Sequence, residues 1–196
     1  MVKAAYDSVR AKTDKLCQLD TVTGGDGDHG TAIAQALKAI SHAAETGTEL
    51  KTMLGEMAFA AMGEACGSTS TLIGALFLGM GDGIDCDELD ARAAATMFKS
   101  GLASVQEQTQ ADVGDKTIMD ALIPAVAALD AKAAEGSSLK DSLAAGAEAA
   151  EAGAKATVQM QARFGRARNL GARSIGAQDP GATSMAYIWR AFAETV

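Results

Sequence analysis

Apolar residues recur every three or four positions along most of this chain, and the alternation of apolar and polar residues that marks a half-buried strand is nearly absent. Residues that favour helices, chiefly Ala, Leu, Met, Glu, Lys and Gln, dominate the composition. The pattern therefore predicts an all-α domain. It predicts eight helices: Lys3 to about Leu19; a helix through Ile33, Leu37 and Ile40 that Gly47 ends; a helix opened by Thr48 and Glu49; Leu72 to Met80; Asp87 to Gln108; a helix that starts at the Gly114 to Thr117 turn; a helix from Ser137 or Ser138 to near Gly165; and a helix capped by Asp179 and opened by Pro180.

The length of 196 residues predicts a single domain, 1–196, and Pro124 predicts a kink or a local break inside the sixth helix. A formal net charge of -8 argues against nucleic-acid binding through a broad basic surface, so any anion site has to be local. The sequence shows no signal peptide and no apolar run long enough to span a bilayer, so no membrane partner is expected. Cys17, Cys66 and Cys86 are an odd number without C-x-x-C spacing, which fits a reducing cytoplasm and gives no support for a disulfide or a zinc site.

The stretch Gly24 to Gly30 reads GGDGDHG and runs into a helical pattern at Thr31. Its two aspartates, Asp26 and Asp28, can be aimed at one point by a turn, and two such anions repel unless a cation such as Mg²⁺ lies between them. A phosphate-binding G-x-x-x-x-G-K-[ST] loop is excluded because the lysine is missing, and an EF-hand is excluded because Leu37 occupies its glutamate position. An ordinary turn before a helix accounts for the motif alone equally well.

Three later breaks interrupt the helical pattern. The first places Ser68 and Thr69 at a helix start, where hydroxyls serve as caps and where free amides and hydroxyls also suit a phosphate. The second reads Gly114-Asp115-Lys116-Thr117. The third carries four arginines within eleven residues, of which a helix C-terminus accounts for one or two, so the set indicates an anion. These arginines are Arg163, Arg166, Arg168 and Arg173.

In this order and at these separations, the blocks GGDGDHG, GSTS, GDKT and GRARNLGARSIGAQDPGATS resemble the nucleotide-binding L subunit or L domain of the dihydroxyacetone kinases. The similarity runs from Asp20 to near the C-terminus and is most specific between Gln161 and Ser184. The resemblance implies an antiparallel barrel of eight helices with a nucleotide and metal site at one open end. It also implies that ADP or ATP binds there through two Mg²⁺ ions.

Carried over position by position, the resemblance implies that Asp20, Asp26 and Asp28 hold the metal and that Arg166 assists Asp26 and Asp28 in catalysis. It implies a nucleotide site formed by His29, Gly30, Thr31, Ser68, Thr69, Thr117, Arg166, Asp179, Pro180 and Gly181. For His29, contact with a phosphate and packing beside the loop are both open. The partner it implies is a K subunit or domain that carries the dihydroxyacetone. A phosphotransferase-system phosphodonor protein and a homodimer are further partners to test.

The sequence departs from the family pattern at three points, and one of them is a segment before Asp20 that is shorter than is usual for a free L subunit. Asp20 and Asp26 are six residues apart instead of five, which makes Asp20 the least secure ligand. The second loop, usually G-x-S-G, reads Gly67-Ser68-Thr69-Ser70, so the final glycine is absent and the loop offers a threonine hydroxyl. The leading hypothesis is the phosphoryl-transferring part of a kinase for dihydroxyacetone or a related ketose such as erythrulose. The alternatives are a nucleotide-loaded phosphocarrier or regulatory module and an L-like domain of a fatty-acid-type kinase. ATP use and phosphate relay stay open, as does the choice between a free subunit and a domain of a fused kinase.

Overall fold

The computed structural model describes residues 1–47, 49–64, 67–86 and 88–196. Within these residues the chain forms nine α-helices and two 3-10 segments, 157–159 and 166–174, and no strand, which confirms the all-α prediction. The helices are α1 (Val2–Arg10), α2 (Thr13–Val22), α3 (His29–Ala43), α4 (Leu50–Glu64), α5 (Ser68–Asp82), α6 (Ala91–Gln108), α7 (Met119–Ala134), α8 (Leu139–Ala156) and α9 (Pro180–Glu194).

Eight of these helices pack side by side in a closed ring. From α3 to α9 each helix packs against the next one in the chain, and α1 closes the ring by packing against both α9 and α3. The short helix α2 lies outside this order, against α3 and α9. Helices joined by short connections pack as antiparallel neighbours, which fits the connections between α3 and α8.

The two ends of the ring differ in chemistry. A cavity of about 320 Å³ at one end is lined by polar residues and by the first turns of α3, α5, α7 and α9. A cavity of about 350 Å³ is lined almost wholly by apolar side chains, among them residues from the first turns of α1, α4 and α8. Helices that alternate around the ring therefore start at opposite ends, as an antiparallel ring requires.

The core of the ring is built around Trp189, which is fully buried on α9. Its ring lies 4.6 Å, centroid to centroid, from that of Phe98 on α6. Gly146 on α8 permits this packing, since a Cβ there would lie 2.6 Å from the Trp189 ring. The alanine-rich face of α8 thus approaches its neighbours closely, and the packing fixes the ends of the helices that form the polar cavity.

The prediction of one helix from Lys3 to about Leu19 is wrong, because the chain breaks between α1 and α2. At the break the Thr13 hydroxyl donates to the carbonyl oxygen of Arg10 at 3.1 Å, and the Lys12 amide donates to that of Val9 at 2.9 Å. A threonine that bonds to nearby main-chain groups competes with the helical ladder. Asp20 consequently lies in the last turn of a separate helix, α2, rather than after a long one.

The seventh predicted helix also ends earlier than expected, at Ala156 instead of near Gly165. Thr157 explains this end through its side chain and its carbonyl. Its hydroxyl donates to Ala154 and accepts from the amide of Asp179, while its carbonyl accepts from the Lys116 ammonium at 2.6 Å. These tertiary contacts thus engage the hydroxyl and the carbonyl of Thr157, and the helix does not continue past Ala156.

The remaining predicted boundaries hold within a few residues, although Thr48 and Asp87 lie outside the described residues. Of the kink or local break predicted at Pro124, the break is absent, since α7 is continuous from Met119 to Ala134. Proline cannot donate to the carbonyl four residues earlier, that of Asp120. Gly153 on α8 packs against this oxygen, and a Cβ there would lie 1.9 Å from it.

Candidate metal and nucleotide site

The polar cavity lies where the N-termini of four helices meet: α3 at His29, α5 at Ser68, α7 at Met119 and α9 at Pro180. A helix N-terminus presents unpaired amides and a partial positive charge. Four of them at one cavity favour an anion in spite of the net negative charge of the chain. The cavity volume of about 320 Å³ lies in the range of small-molecule sites, roughly 300–1,000 Å³.

The first loop of the site folds back onto Asp20. One oxygen of this side chain, Oδ2, accepts from the amides of Gly27 at 2.9 Å and Asp28 at 3.2 Å. Gly27 has a φ of 80°, and at Gly25 a Cβ would lie 1.9 Å from Asp20 Oδ1. Both glycines are therefore required for the loop to close on this carboxylate. This closure accommodates the six-residue separation of Asp20 and Asp26.

Asp20, Asp26 and Asp28 each offer a carboxylate oxygen, and the three oxygens lie within 4.8 Å of one another. Asp20 is partly buried, whereas Asp26 and Asp28 are exposed to the cavity mouth. Asp28 is the N-cap residue of α3, yet its side chain makes no capping hydrogen bond. An ordinary helix cap therefore does not account for this carboxylate. Three converging oxygen ligands of one charge fit Mg²⁺, which prefers oxygen donors and keeps several waters.

Arg166 brings a positive charge to these carboxylates through an ion pair with Asp26. It follows Gly165 at the start of the 3-10 segment 166–174, and it lines the cavity together with Phe164 and Ala167. Arg163 pairs with Asp115 at 3.3 Å, while Arg168 and Arg173 do not line the cavity. Of the four arginines, Arg166 is thus the one that the structure brings to the acids.

A buried lysine, Lys116, holds the segment that carries Arg166 in place. Lys116 is 1% exposed, and its ammonium donates to the carbonyl oxygens of Thr157 and Ala177, both at 2.6 Å. Its φ of 60° is unusual for a residue other than glycine. Burial lowers the pKa of Lys116, and the nearby Asp179 and Asp120 oppose this effect. The two carbonyls flank residues 158–176, so Lys116 closes the base of this segment.

Two further carboxylates organise the loop around Lys116. Asp120 accepts from the amides of Gly114 and Thr117, both at 2.7 Å. Asp179 caps α9 as predicted, because its Oδ2 accepts from the amide of Ala182 at 2.7 Å. Burial raises the pKa of Asp179 to about 7, an effect that the Ala182 hydrogen bond and Lys116 reduce. The third loop and the start of α9 therefore form one buried polar unit.

His29 is 9% exposed and both of its ring nitrogens have hydroxyl partners. Nε2 lies 2.9 Å from Ser184 Oγ on α9, and Nδ1 lies 3.3 Å from Thr69 Oγ1 on α5. Ser184 donates its single hydrogen to the carbonyl oxygen of Gly181 at 3.0 Å, so it accepts from Nε2, which leaves Nδ1 to accept from Thr69. Burial lowers the pKa of His29, which favours this neutral ring.

Most of the predicted site residues line the polar cavity. These are Asp20, Asp26, Asp28, His29, Ser68, Thr69, Thr117, Arg166, Asp179, Pro180 and Gly181. Gly30 and Thr31 do not line it: Gly30 packs against the Thr13 carbonyl, and Thr31 lies beside Cys17, with Oγ1 to Sγ at 3.7 Å. Sequence reasoning did not assign roles to Lys116 and Ser184, although both lie inside the quoted GDKT and QDPGATS blocks.

The fold and the site together define an all-helical domain with one polar cavity. Acidic side chains line this cavity, and the helix N-termini around it suit an anion. The chain matches the DAK2 domain over residues 24–194, and it belongs to this family. No helix within the described ranges combines the length and the apolar character needed to traverse a bilayer.

Named relatives of the chain are kinases or subunits of kinases. An L-erythrulose kinase of Pectobacterium atrosepticum is 33% identical over 195 residues, which cover 95% of this chain and 32% of that enzyme. DhaL, the ADP-binding subunit of the PEP-dependent dihydroxyacetone kinase of Escherichia coli, is 31% identical over 195 residues, which cover 95% of this chain and 90% of the subunit. The chain thus spans about a third of the erythrulose kinase and most of the ADP-binding subunit.

A solved structure agrees with this relationship. The dihydroxyacetone kinase of C. freundii superposes with a TM-score of 0.76 at 26% identity, and the match covers 100% of this chain and 33% of that one. The same match is found for that enzyme in complex with AMP-PNP and Mg²⁺. The ring of helices is therefore the fold of a domain within a dihydroxyacetone kinase.

Proposed function

We propose that this chain is the nucleotide-binding, phosphoryl-transferring part of a kinase for dihydroxyacetone or a related short ketose such as erythrulose. The observation that carries the proposal is the meeting of three carboxylate oxygens within 4.8 Å at a cavity lined by the starts of four helices. Carboxylates alone repel a phosphate, whereas carboxylates that hold Mg²⁺ attract one. The helix N-termini add main-chain amides to the same cavity.

Asp20, Asp26 and Asp28 would hold two Mg²⁺ ions, whose charge neutralises that of the phosphates when they are bound. The amides at the start of α5, with the hydroxyls of Ser68 and Thr69, donate to phosphate oxygens. Phosphoryl transfer requires little covalent chemistry from a protein, since positioning and charge neutralisation supply most of the rate. The residues of this chain therefore act by holding the phosphates in line with an acceptor at the open mouth.

Arg166 supplies the guanidinium that such a transfer uses. It is 64% exposed and pairs with Asp26, so it can turn toward a phosphate oxygen as negative charge spreads over the transferred group. Leu72, Ile118 and Phe164 give the cavity an apolar wall. This wall accommodates the adenine base of ADP or ATP, while the carboxylates lie at the phosphate end.

The ketose itself is bound elsewhere in this proposal. The cavity is lined by aspartates and helix N-termini, which suit a phosphate that carries Mg²⁺. The relatives that this chain spans almost completely are named as ADP-binding subunits, and those named for erythrulose are about three times longer than the matched region. A separate K subunit or domain therefore presents the ketose to the nucleotide.

Nucleotide content tests the proposal and separates its two forms. The chain is purified with Mg²⁺ and extracted with acid, and its nucleotide is quantified by chromatography. One ADP per chain that survives buffer exchange identifies a captive cofactor, rephosphorylated by a phosphodonor protein. A nucleotide-free chain whose melting temperature rises only with Mg²⁺ and nucleotide together identifies an exchanging ATP kinase. A chain that carries no nucleotide and shows no shift with MgADP or MgATP contradicts the proposed function.

A further inference from the structure

The exposed large apolar side chains of this chain fall on two parts of its surface. Leaving the two terminal residues aside, six such side chains are exposed among the described residues. Three of them lie on α4 and α5: Phe59, Met62 and Leu78. The other three, Val22, Val113 and Ile175, are 57%, 52% and 45% exposed. Since single exposed apolar residues are normal, it is a shared position that gives them meaning.

Val22 and Ile175 belong to segments that touch each other. Val22 is the last residue of α2, and the loop that follows it packs on the 3-10 segment 166–174. A Cβ at Gly24 in this loop would lie 2.6 Å from the side chain of Leu170 in that segment. Ile175 is the next residue after the same segment. Both apolar side chains therefore lie on one side of the molecule.

Val113 lies on a third segment that contacts the same region. Two residues after it, the carbonyl oxygen of Asp115 accepts from the amide of Arg163 at 3.1 Å. The Arg163 guanidinium also pairs with the Asp115 carboxylate at 3.3 Å. The three segments all contribute residues to the lining of the polar cavity. Val22, Val113 and Ile175 therefore lie on the segments that border this cavity.

The segment 158–176 is also basic within an acidic chain. It contains four arginines and no aspartate or glutamate, whereas the whole chain has a formal net charge of -8. Ion pairs with Asp115 and Asp26 neutralise two of the arginines. The other two, Arg168 and Arg173, are exposed, and neither forms an ion pair within the part of the chain that the structure describes. Neither lines the cavity, so the nucleotide site does not account for them.

We propose that these apolar and basic residues form the docking surface for the ketose-carrying K subunit, which presents acidic side chains to the two arginines. This surface, called the rim, consists of Val22, Val113, Arg168, Arg173 and Ile175. The inference rests on the proposed nucleotide-binding function. An acceptor hydroxyl has to come within about 3–3.5 Å of the phosphate to react. The subunit that carries the ketose therefore has to approach the segments that border the cavity.

The composition of the rim favours a K subunit over a second copy of this chain. Apolar side chains and arginines are common at the centres of protein interfaces, and opposite charges speed and orient association. In a two-fold symmetric pair the same surface faces itself. Such a pair would bring Arg168 and Arg173 of one copy close to those of the other. The resulting repulsion disfavours a homodimer through the rim.

Charge reversal and removal of apolar side chains test the docking surface separately. The probe is the substrate-binding subunit of the E. coli dihydroxyacetone kinase, loaded with dihydroxyacetone. Interferometry measures its affinity for wild type, Arg168→Glu/Arg173→Glu and Val113→Ser/Ile175→Ser. We expect each double variant to bind this subunit about tenfold more weakly or worse. MgADP affinity, measured by calorimetry, is expected to stay within about twofold, because none of these residues lines the cavity.

Two matched controls lie away from the rim. Arg92→Glu reverses another exposed arginine, on α6, and Phe59→Ser removes a side chain on α4 that is 70% exposed. Both controls are expected to bind the K subunit as wild type does. The loss caused by charge reversal at the rim should also shrink as the salt concentration rises, since salt screens exposed charges.

Each part of the proposal has its own failure. Wild-type affinity for the K subunit in both rim variants, or equal losses in the controls, would overturn the inference. A wild-type chain that binds MgADP but not the K subunit would also overturn the inference and leave the proposed function standing. A wild-type chain that does not bind MgADP would overturn the proposed function. Self-association of wild type that charge reversal abolishes, measured by ultracentrifugation, would assign the rim to a second copy instead.

A measurement on the wild-type chain avoids any folding defect of the variants. Hydrogen exchange is compared with and without the K subunit, with MgADP present in both samples. We expect slower exchange in residues 111–115 and 166–176 when the K subunit is bound, and no change in residues 55–63 of α4. Protection confined to α4 and α5 would place the interface on the other exposed apolar surface and overturn the inference.

Discussion

Asp20 accepts a hydrogen bond from the main-chain amide of Gly27 at 2.9 Å, across seven residues of the first glycine loop. The same oxygen also accepts from the amide of Asp28, so one half of the carboxylate closes the loop. Oδ1 takes no part in these two bonds. Asp20 therefore holds the loop closed through its hydrogen bonds and also belongs to the three-carboxylate cluster.

Substitution of Asp20 distinguishes these two roles. Asp20→Asn keeps an oxygen for the two amides but removes the charge, so we expect ADP affinity in Mg²⁺ to fall by at least about tenfold with little change in melting temperature. Asp20→Ala also leaves the amides without an acceptor and is expected to lower both quantities. Calorimetry and thermal unfolding measure them. Wild-type affinity in Asp20→Asn would exclude Asp20 as a ligand.

Two helical glycines provide a matched test of the packing behind the site. A Cβ at Gly30, in the first turn of α3, would lie 2.2 Å from the Thr13 carbonyl oxygen, whereas a Cβ at Gly55 on α4 meets nothing within 4 Å. We expect Gly30→Ala to lower the free energy of unfolding by about 1–3 kcal/mol through overpacking. Gly55→Ala is expected to raise it by about 0.5–1 kcal/mol. Urea denaturation checks both, and a shift of the same sign in the two variants would contradict the close approach of α2 and α3.

Lys116 is expected to contribute to stability more than an exposed lysine does. Lys116→Met leaves the carbonyls of Thr157 and Ala177 without their donor, and each unsatisfied buried group costs about 1–3 kcal/mol. The matched control, Lys99→Met, removes a surface ion pair with Asp130 that is worth about 1 kcal/mol or less. Urea denaturation compares the two. Equal losses would show that Lys116 does not fasten the segment that carries Arg166.

The raised pKa of Asp179 predicts how the free energy of unfolding depends on pH. Its pKa is raised by burial from an ordinary value near 3.8 to about 7 in the folded chain, so between these values the folded state binds a proton that the unfolded state has lost. The stabilisation is complete below pH 3.8 and is lost as the pH rises through about 7. In Asp179→Asn, which keeps a good N-cap residue, this contribution is absent.

The comparison with Asp179→Asn is made by urea denaturation at several pH values. Between pH 4 and 7, the free energy of unfolding of wild type is expected to fall relative to that of the variant, by at most about 1.4 kcal/mol per pH unit. A difference between the two chains that does not vary with pH would mean that Asp179 is ionised throughout the range.

Much of this architecture was predictable from local patterns. Helical periodicity identified the all-α class, and Asp179 followed by Pro180 located the start of α9 correctly. The glycine blocks identified the loops, and Asp20, Asp26 and Asp28 do converge in spite of the shifted spacing. Such features depend on short stretches of sequence, where cap residues and glycines act on their immediate neighbours.

The errors arose where distant contacts outweigh local propensity. Nothing next to Ala156 ends a helix, and α8 stops there because Thr157 is engaged by Lys116 and Asp179 from other segments. The hydroxyl partners of His29 come from α5 and α9, 40 and 155 residues away. Pairings of this kind depend on how the ring of helices closes, which a one-dimensional pattern does not encode.

The cluster of Asp20, Asp26 and Asp28 is proposed to bind nucleotide phosphates through Mg²⁺. Its most direct test is a calorimetric titration of ADP into wild type, Asp26→Ala and Asp28→Ala, first with Mg²⁺ and then with EDTA. Both residues lie between α2 and α3, so circular dichroism should show unchanged helical content. We expect wild type to bind ADP with Mg²⁺ and lose it in EDTA, and both variants to bind at least about a hundredfold more weakly. Equally tight binding in EDTA, or wild-type affinity in either variant, would show that the aspartates do not bind the nucleotide through Mg²⁺.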